Sequence, residues 1–123
     1  MKIKLQQELD NYLASEAEFT PYYQKMTQIV SSGLFKEQLK EILNALEKED
    51  IKSAKNFKLY LDTVIINMQT KISKYKPSLY FDNEKVKDIE NQGYTIPFYV
   101  DEEKEIYLLL GIFKKESSNY NNI

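Results

Sequence analysis

The sequence predicts an α+β fold, with N-terminal helices packed on a small, mainly antiparallel C-terminal sheet. Three observations carry this. Apolar residues recur at helical spacing through about the first 76 residues. Beyond Pro77 the period shortens. The stretch "YTIPFYVDEEKEIYLLLGIFKK", Tyr94 to Lys115, then joins an alternating strand, an acidic turn and an apolar strand. At 123 residues the chain is long enough for one domain with its own core. The expected division is a helical part over 1–76, a sheet over 77–116 and a frayed polar tail over 117–123.

Taken in order, Ile3, Leu5, Leu9, Tyr12 and Leu13 form the stripe of a first amphipathic helix over about residues 3–17. A second helix is expected from "FTPYYQKM". Thr20 is its N-cap, Pro21 its first residue, Tyr22, Met26, Ile29 and Val30 its buried stripe, and Gly33 its end. Phe35, Leu39, Ile42, Leu43 and Leu46 mark a third helix. Asp50 caps a fourth, striped by Phe57, Leu61, Val64, Ile65, Met68 and Ile72 and closed before Pro77.

After Pro77, "SLYF" reads as a short strand and "KVKDIE" as a second strand or a helical turn. In the next strand Tyr94, Ile96, Phe98 and Val100 share one face. Pro97 has no N–H to donate, so this strand lies at an edge or carries a bulge there. Its hairpin partner, Glu105 to Phe113, is apolar on both faces and belongs inside the sheet with layers covering both sides. Three to four strands are expected in all.

Composition removes several chemistries. There is no cysteine and no histidine, so disulfides, thiolate sites, a cysteine nucleophile and the usual imidazole base are absent. All 17 positive charges are lysine, which excludes bidentate guanidinium clamps. A net charge of −2 gives no global attraction to nucleic acid. Three glycines are too few for a phosphate-cradling loop, and no paired-carboxylate or nucleophile-elbow pattern occurs. No cofactor and no metal are expected. No apolar run approaches the ~20 residues that span a bilayer, and the N-terminus lacks the apolar core of a signal peptide, so a cytoplasmic protein is expected.

Three groups of residues could still form a site. Asp101, Glu102, Glu103 and Glu105 lack calcium-loop spacing and read as a solvated turn. Most of the ten tyrosines fall on core stripes, which leaves Tyr75, Tyr80, Tyr99 and Tyr107 as candidates for a cleft. Lys71, Lys74 and Lys76 precede the sheet, and Lys114 and Lys115 end it. If the last strand returns beside the fourth helix, these lysines converge on one rim and offer a phosphate-sized pocket; otherwise they are scattered and solvated.

The segment "VKDIENQGYTIPFYVDEEKEIYLLLGIFKKES", Val86 to Ser117, resembles the C-terminal half of the RelE/ParE toxin superfamily. The matching residues are Gly93, Tyr94, Ile96, Tyr99, Val100 and Asp101, then Ile106, Leu108, Leu109 and Ile112. The resemblance implies a helical hairpin packed on an antiparallel sheet. It also implies an action on translation, by cleaving messenger RNA, or on DNA gyrase, and an antitoxin-like protein partner. Ribonuclease members use Arg, Lys, His or a late Tyr; this chain offers only Lys and Tyr. By analogy Lys114 or Lys115 would stabilise phosphorane charge and Tyr99 or Tyr107 would hold or donate a proton, with Lys71, Lys74 and Lys76 binding substrate. The alternative is a non-enzymatic interaction module, such as an immunity or adaptor protein. A homodimer is the remaining expectation, should the first helix find no cover within its own chain.

Overall fold

In the computed structural model the described residues are 2–14, 20–23 and 26–115. The helices are α1 (Lys2–Leu13), α2 (Gly33–Glu49) and α3 (Ile51–Ile66), followed by a 3-10 helix, Met68–Lys74. The strands are β1 (Thr20–Tyr23), β2 (Met26–Ser31), β3 (Val86–Asn91), β4 (Tyr94–Asp101), β5 (Ile106–Leu109) and β6 (Phe113–Lys114). They form one sheet in the order β1-β2-β5-β4-β3, with β6 also on β4. Only β2 and β5 run parallel among the described pairs. The class is α+β, as expected.

Apolar residues on both faces of β5 meet two separate cores. Leu109 joins Ile29, Ile96, Phe98 and Ile112 beneath α2 and α3, which contribute Phe35, Leu39, Phe57, Leu61 and Ile65. Leu108 joins Val30, Val86, Tyr99 and Phe113 beneath α1, which contributes Leu5, Leu9 and Tyr12. The sheet is therefore a middle layer and β5 is interior, as its two-sided hydrophobicity requires. With α1 covering its own sheet, the argument for a homodimer loses its premise. Residues 15–17 of the expected first helix, and the tail 117–123, lie outside the described residues.

Two elements differ from expectation. Residues 20–23 and 26–31 form the antiparallel pair β1 and β2 instead of a helix, and Gly33 opens α2 instead of closing a helix. The 22, 26, 29, 30 spacing fits a helix stripe, but Ile29 and Val30 are buried on opposite faces of the sheet. Period-2 geometry allows that where one helix stripe does not. The ladder that decides it is nonlocal, with Ile29, Val30 and Ser31 opposite Tyr107, Leu108 and Leu109. "SLYF" is likewise no strand. Leu79 N–H donates to Asp88 Oδ2 (3.0 Å) and Tyr80 N–H to Ser78 Oγ (3.1 Å), so side chains turn this backbone out of a ladder. The segment before it covers the β3 edge through Asp88 N–H to Lys76 O (3.3 Å) and Ser78 N–H to Val86 O (2.8 Å). "KVKDIE" resolves as strand.

The remaining signals hold. Asp50 ends α2 and caps α3, accepting from Lys52 N–H at 3.1 Å. The fourth helical stripe continues through Met68 and Ile72, but the helix tightens to 3-10 geometry after Asn67. Pro97 lies in an interior strand, opposite Asp88, and the sheet accommodates it with an irregularity: Leu110–Ile112 leave the ladder between β5 and β6. Among the described residues there are six strands instead of three or four, because residues 20–23 and 26–31 add two and this break divides the last strand.

Candidate functional site

A cleft of about 650 Å³ lies where the start of β5 meets β2 and the 3-10 helix. Tyr107 lies in its wall, half-buried, with its ring edge-on to Phe98 at 6.4 Å between centroids. Gln28 from β2 and Gln69 from the 3-10 helix supply amides, and the β4–β5 turn supplies Asp101, Glu102 and Glu105. Lys104 also borders the cleft, but its ammonium sits 5.6 Å from the Tyr12 ring centroid. Carboxylates outnumber cations here, so the cleft suits a cationic or hydrogen-bonding group and repels phosphate.

The turn is built around Asp101. Its Oδ1 accepts from Lys104 N–H at 3.1 Å, and its Oδ2 accepts from the Tyr12 hydroxyl at 2.8 Å. Burial, then the Asp101 carboxylate, raises the Tyr12 phenol well above its ordinary value, so this proton stays on Tyr12. Glu105 closes the turn with a φ of 56°, in the left-handed region. The turn is thus ordered by its own side chains. Among the described residues no three acidic side chains converge to hold a metal ion.

The catalytic candidates do not share one surface. Tyr99 is buried against Tyr12 on the α1 side, with centroids 6.0 Å apart, whereas Tyr107 belongs to the α2–α3 side. Lys114 pairs with Tyr94 at the start of β4, while Tyr107 pairs with Val100 near its end. Six residues of strand separate those positions, about 20 Å. Lys115 forms an ion pair with Glu90, Nζ to Oε2 3.0 Å, beside the Gly93 turn.

The substrate-binding candidates divide as well. Lys71 and Lys74 are exposed on the 3-10 helix, and Lys76 is exposed beside the edge of β3. Of the other tyrosine candidates, Tyr80 is buried edge-on to Phe113 at 4.9 Å, and Tyr75 is half-buried against Phe98, where burial raises its phenol above the ordinary value. The cleft-lining amides of Gln28 and Gln69 escaped sequence reasoning. Gln28 sits in a strand read as helix, and a lone glutamine carries no signal.

No family model and no curated protein matches the chain.

Proposed function

We propose that this chain is the toxin-like component of a bacterial toxin–antitoxin pair of RelE/ParE type, and that it acts in the cytoplasm by binding a protein target. The supporting observation is the α2–α3 hairpin laid on the β4–β5 strands, the arrangement that the Val86–Ser117 resemblance implies. Binding is favoured over RNA cleavage because a ribonuclease needs a proton-transfer group and a cation at one phosphate. Tyr99 and Tyr107 face opposite sides of the sheet, and the Tyr107 cleft is rimmed by carboxylates. A protein target such as gyrase makes no such demand.

Inducing the chain alone in bacteria tests this. Growth should arrest, co-expression of a short neighbouring gene should relieve the arrest, and plasmid supercoiling should change while messenger RNA stays intact. Normal growth would overturn the reading. Message cleavage lost in Tyr107→Phe or Lys114→Ala would restore the ribonuclease alternative. A non-enzymatic immunity or adaptor module is the second reading, favoured by the same dispersal of Lys and Tyr candidates, and a large toxin gene upstream would select it.

A further inference from the structure

Gln92 and Gly93 make the two-residue turn between β3 and β4, with φ of 55° and 84°. Asparagine or glycine is the usual first residue of such a turn, because a longer side chain is strained in the left-handed region. Gln92 is held there by its amide, whose Nε2 donates to Phe57 O on α3 at 3.1 Å and to Asn91 Oδ1 at 2.8 Å. Both amide hydrogens are thereby used, and Oε1 is left as an acceptor. Backbone strain maintained by such contacts clusters at ligand-binding sites.

The turn so fixed walls a hollow of about 380 Å³ against α3. Ser53, Asn56, Phe57 and Tyr60 line it at i, i+3, i+4 and i+7, one side of the helix, and Tyr94 lines it from β4. Phe57 and Tyr94 stand edge-on at 5.4 Å between centroids, and Tyr60 is 59% exposed. Among the described residues, no side-chain hydrogen bond engages the Asn56 amide or the hydroxyls of Tyr60 and Tyr94. None of the lining residues is charged. Aromatic walls and unengaged amide groups in a hollow of this size are the make-up of a small-molecule site.

The charges around it differ in what they already hold. Asp50 accepts from Lys52 N–H and Ser53 Oγ while capping α3, and Glu90 pairs with Lys115. Glu47 and Glu49, at the end of α2, alternate with Lys48 and precede Lys52. Lys114 is exposed, pairs with no carboxylate among the described residues, and lies directly opposite Tyr94 in the β4–β6 ladder. Opposed residues share a sheet face, so a cation stands beside the aromatic wall.

We propose that this hollow binds the base of an adenine mononucleotide. The base lies against Tyr60 and Tyr94, and its exocyclic amine donates to Asn56 Oδ1 and Gln92 Oε1. A neighbouring ring nitrogen accepts from Asn56 Nδ2, and the phosphate reaches Lys114. Two carbonyl acceptors beside one amide donor select an amine next to a ring nitrogen. Guanine would set its own carbonyl against Gln92 Oε1. Cytosine carries the amine on a single ring and offers the aromatic walls less area. A neutral sugar would leave Lys114 unengaged. The inference does not rest on the partnered reading above.

The test is isothermal titration of the full chain with AMP. Saturable binding with a Kd below about 1 mM is expected. GMP should bind roughly tenfold more weakly, and Asn56→Leu should weaken AMP by roughly the same factor. Asn56 is exposed, so an unchanged melting midpoint shows that this variant keeps its fold. Lys114→Ala should weaken AMP and leave adenosine unaffected, a difference that a structural role would not produce. Four results overturn the proposal: no saturation, equal binding of GMP, unchanged binding by Asn56→Leu, or an adenine oligoribonucleotide that binds more tightly per base than AMP. The last would assign the site to single-stranded RNA instead. Growth arrest, or its absence, bears on none of these outcomes.

Discussion

Ser32 serves two elements with one hydroxyl. It accepts from Phe35 N–H at 3.1 Å, capping α2, and donates to Leu110 O at 2.8 Å. That carbonyl needs a donor because of Pro97. Leu110 N–H bonds Pro97 O at 2.9 Å, and in an antiparallel ladder residue 97 would return an N–H to Leu110 O. Proline has none, and Ser32 fills the place. Losing both the cap and a buried carbonyl's partner, Ser32→Ala should cost roughly 2–3 kcal/mol. Urea denaturation should show a smaller cost in a Pro97→Ala background, where the missing N–H is restored. Equal costs in both backgrounds would refute the coupling. Asp88 makes a second residue-scale prediction. Burial, the largest influence, holds its carboxyl above the ordinary 3.8, hydrogen bonds from Ser78 and Leu79 oppose this, and Glu90 adds to it. Oδ1 is buried without a partner among the described residues. A raised value favours the folded state below pH 3.8, and that contribution is lost as pH rises through the folded value. The advantage of Asp88→Asn over the native chain should therefore grow from pH 3.8 towards neutrality in thermal melts. A pH-independent difference would contradict it.

At the scale of elements, the Leu110–Ile112 break joins α1, α2 and the sheet. A Cβ on Gly111 would lie 2.6 Å from Leu5 Cδ2 and 2.8 Å from Gln38 Oε1, and Gln38 Oε1 accepts from Ile112 N–H at 2.8 Å. Leu5 is fully buried and cannot swing into solvent. Gly111→Ala should cost roughly 1–3 kcal/mol through this overpacking. Adding Leu5→Ala should give a double mutant less destabilised than the sum of the two singles. Strict additivity in denaturant titrations would show that Leu5 is not the obstacle. This break also shows the limit of local reading. Pro97 announced an irregularity by its own chemistry, but nothing near Gly111 announced that two helices would close on it.

For the whole molecule, the two-sided sheet makes α1 essential despite its short contact with the rest of the chain. Removing residues 1–14 would uncover Val30, Val86, Tyr99, Leu108, Leu110 and Phe113 at once. Each buried leucine of α1 should cost roughly 2–5 kcal/mol when cut to alanine, so Leu9→Ala alone should lower the melting midpoint measurably. The truncated chain should bind a hydrophobic dye and lose its cooperative transition. A truncated chain with an unchanged midpoint would show that α1 is not the cover of that face. Charge is likewise arranged at this scale, with lysines along α3 and the 3-10 helix and carboxylates at the β4–β5 turn.

From sequence alone came the features whose causes are local. Asp50 as a cap, the stripes of α2 and α3, the Tyr94–Leu109 hairpin and the interior position of an all-apolar strand each follow from a side chain's own propensity or from a short period. The tertiary structure decided what depends on partners distant in sequence. Ile29 and Val30 become strand because Tyr107 and Leu108 lie beside them, 78 residues later. Tyr99 and Tyr107 part company because successive sheet faces alternate, and the lysines separate because β6 ends beside Gly93 and the 3-10 helix ends beside the edge of β3. Local propensity differs by less than about 1 kcal/mol per residue between helix and strand, and burial of two or three core side chains exceeds that.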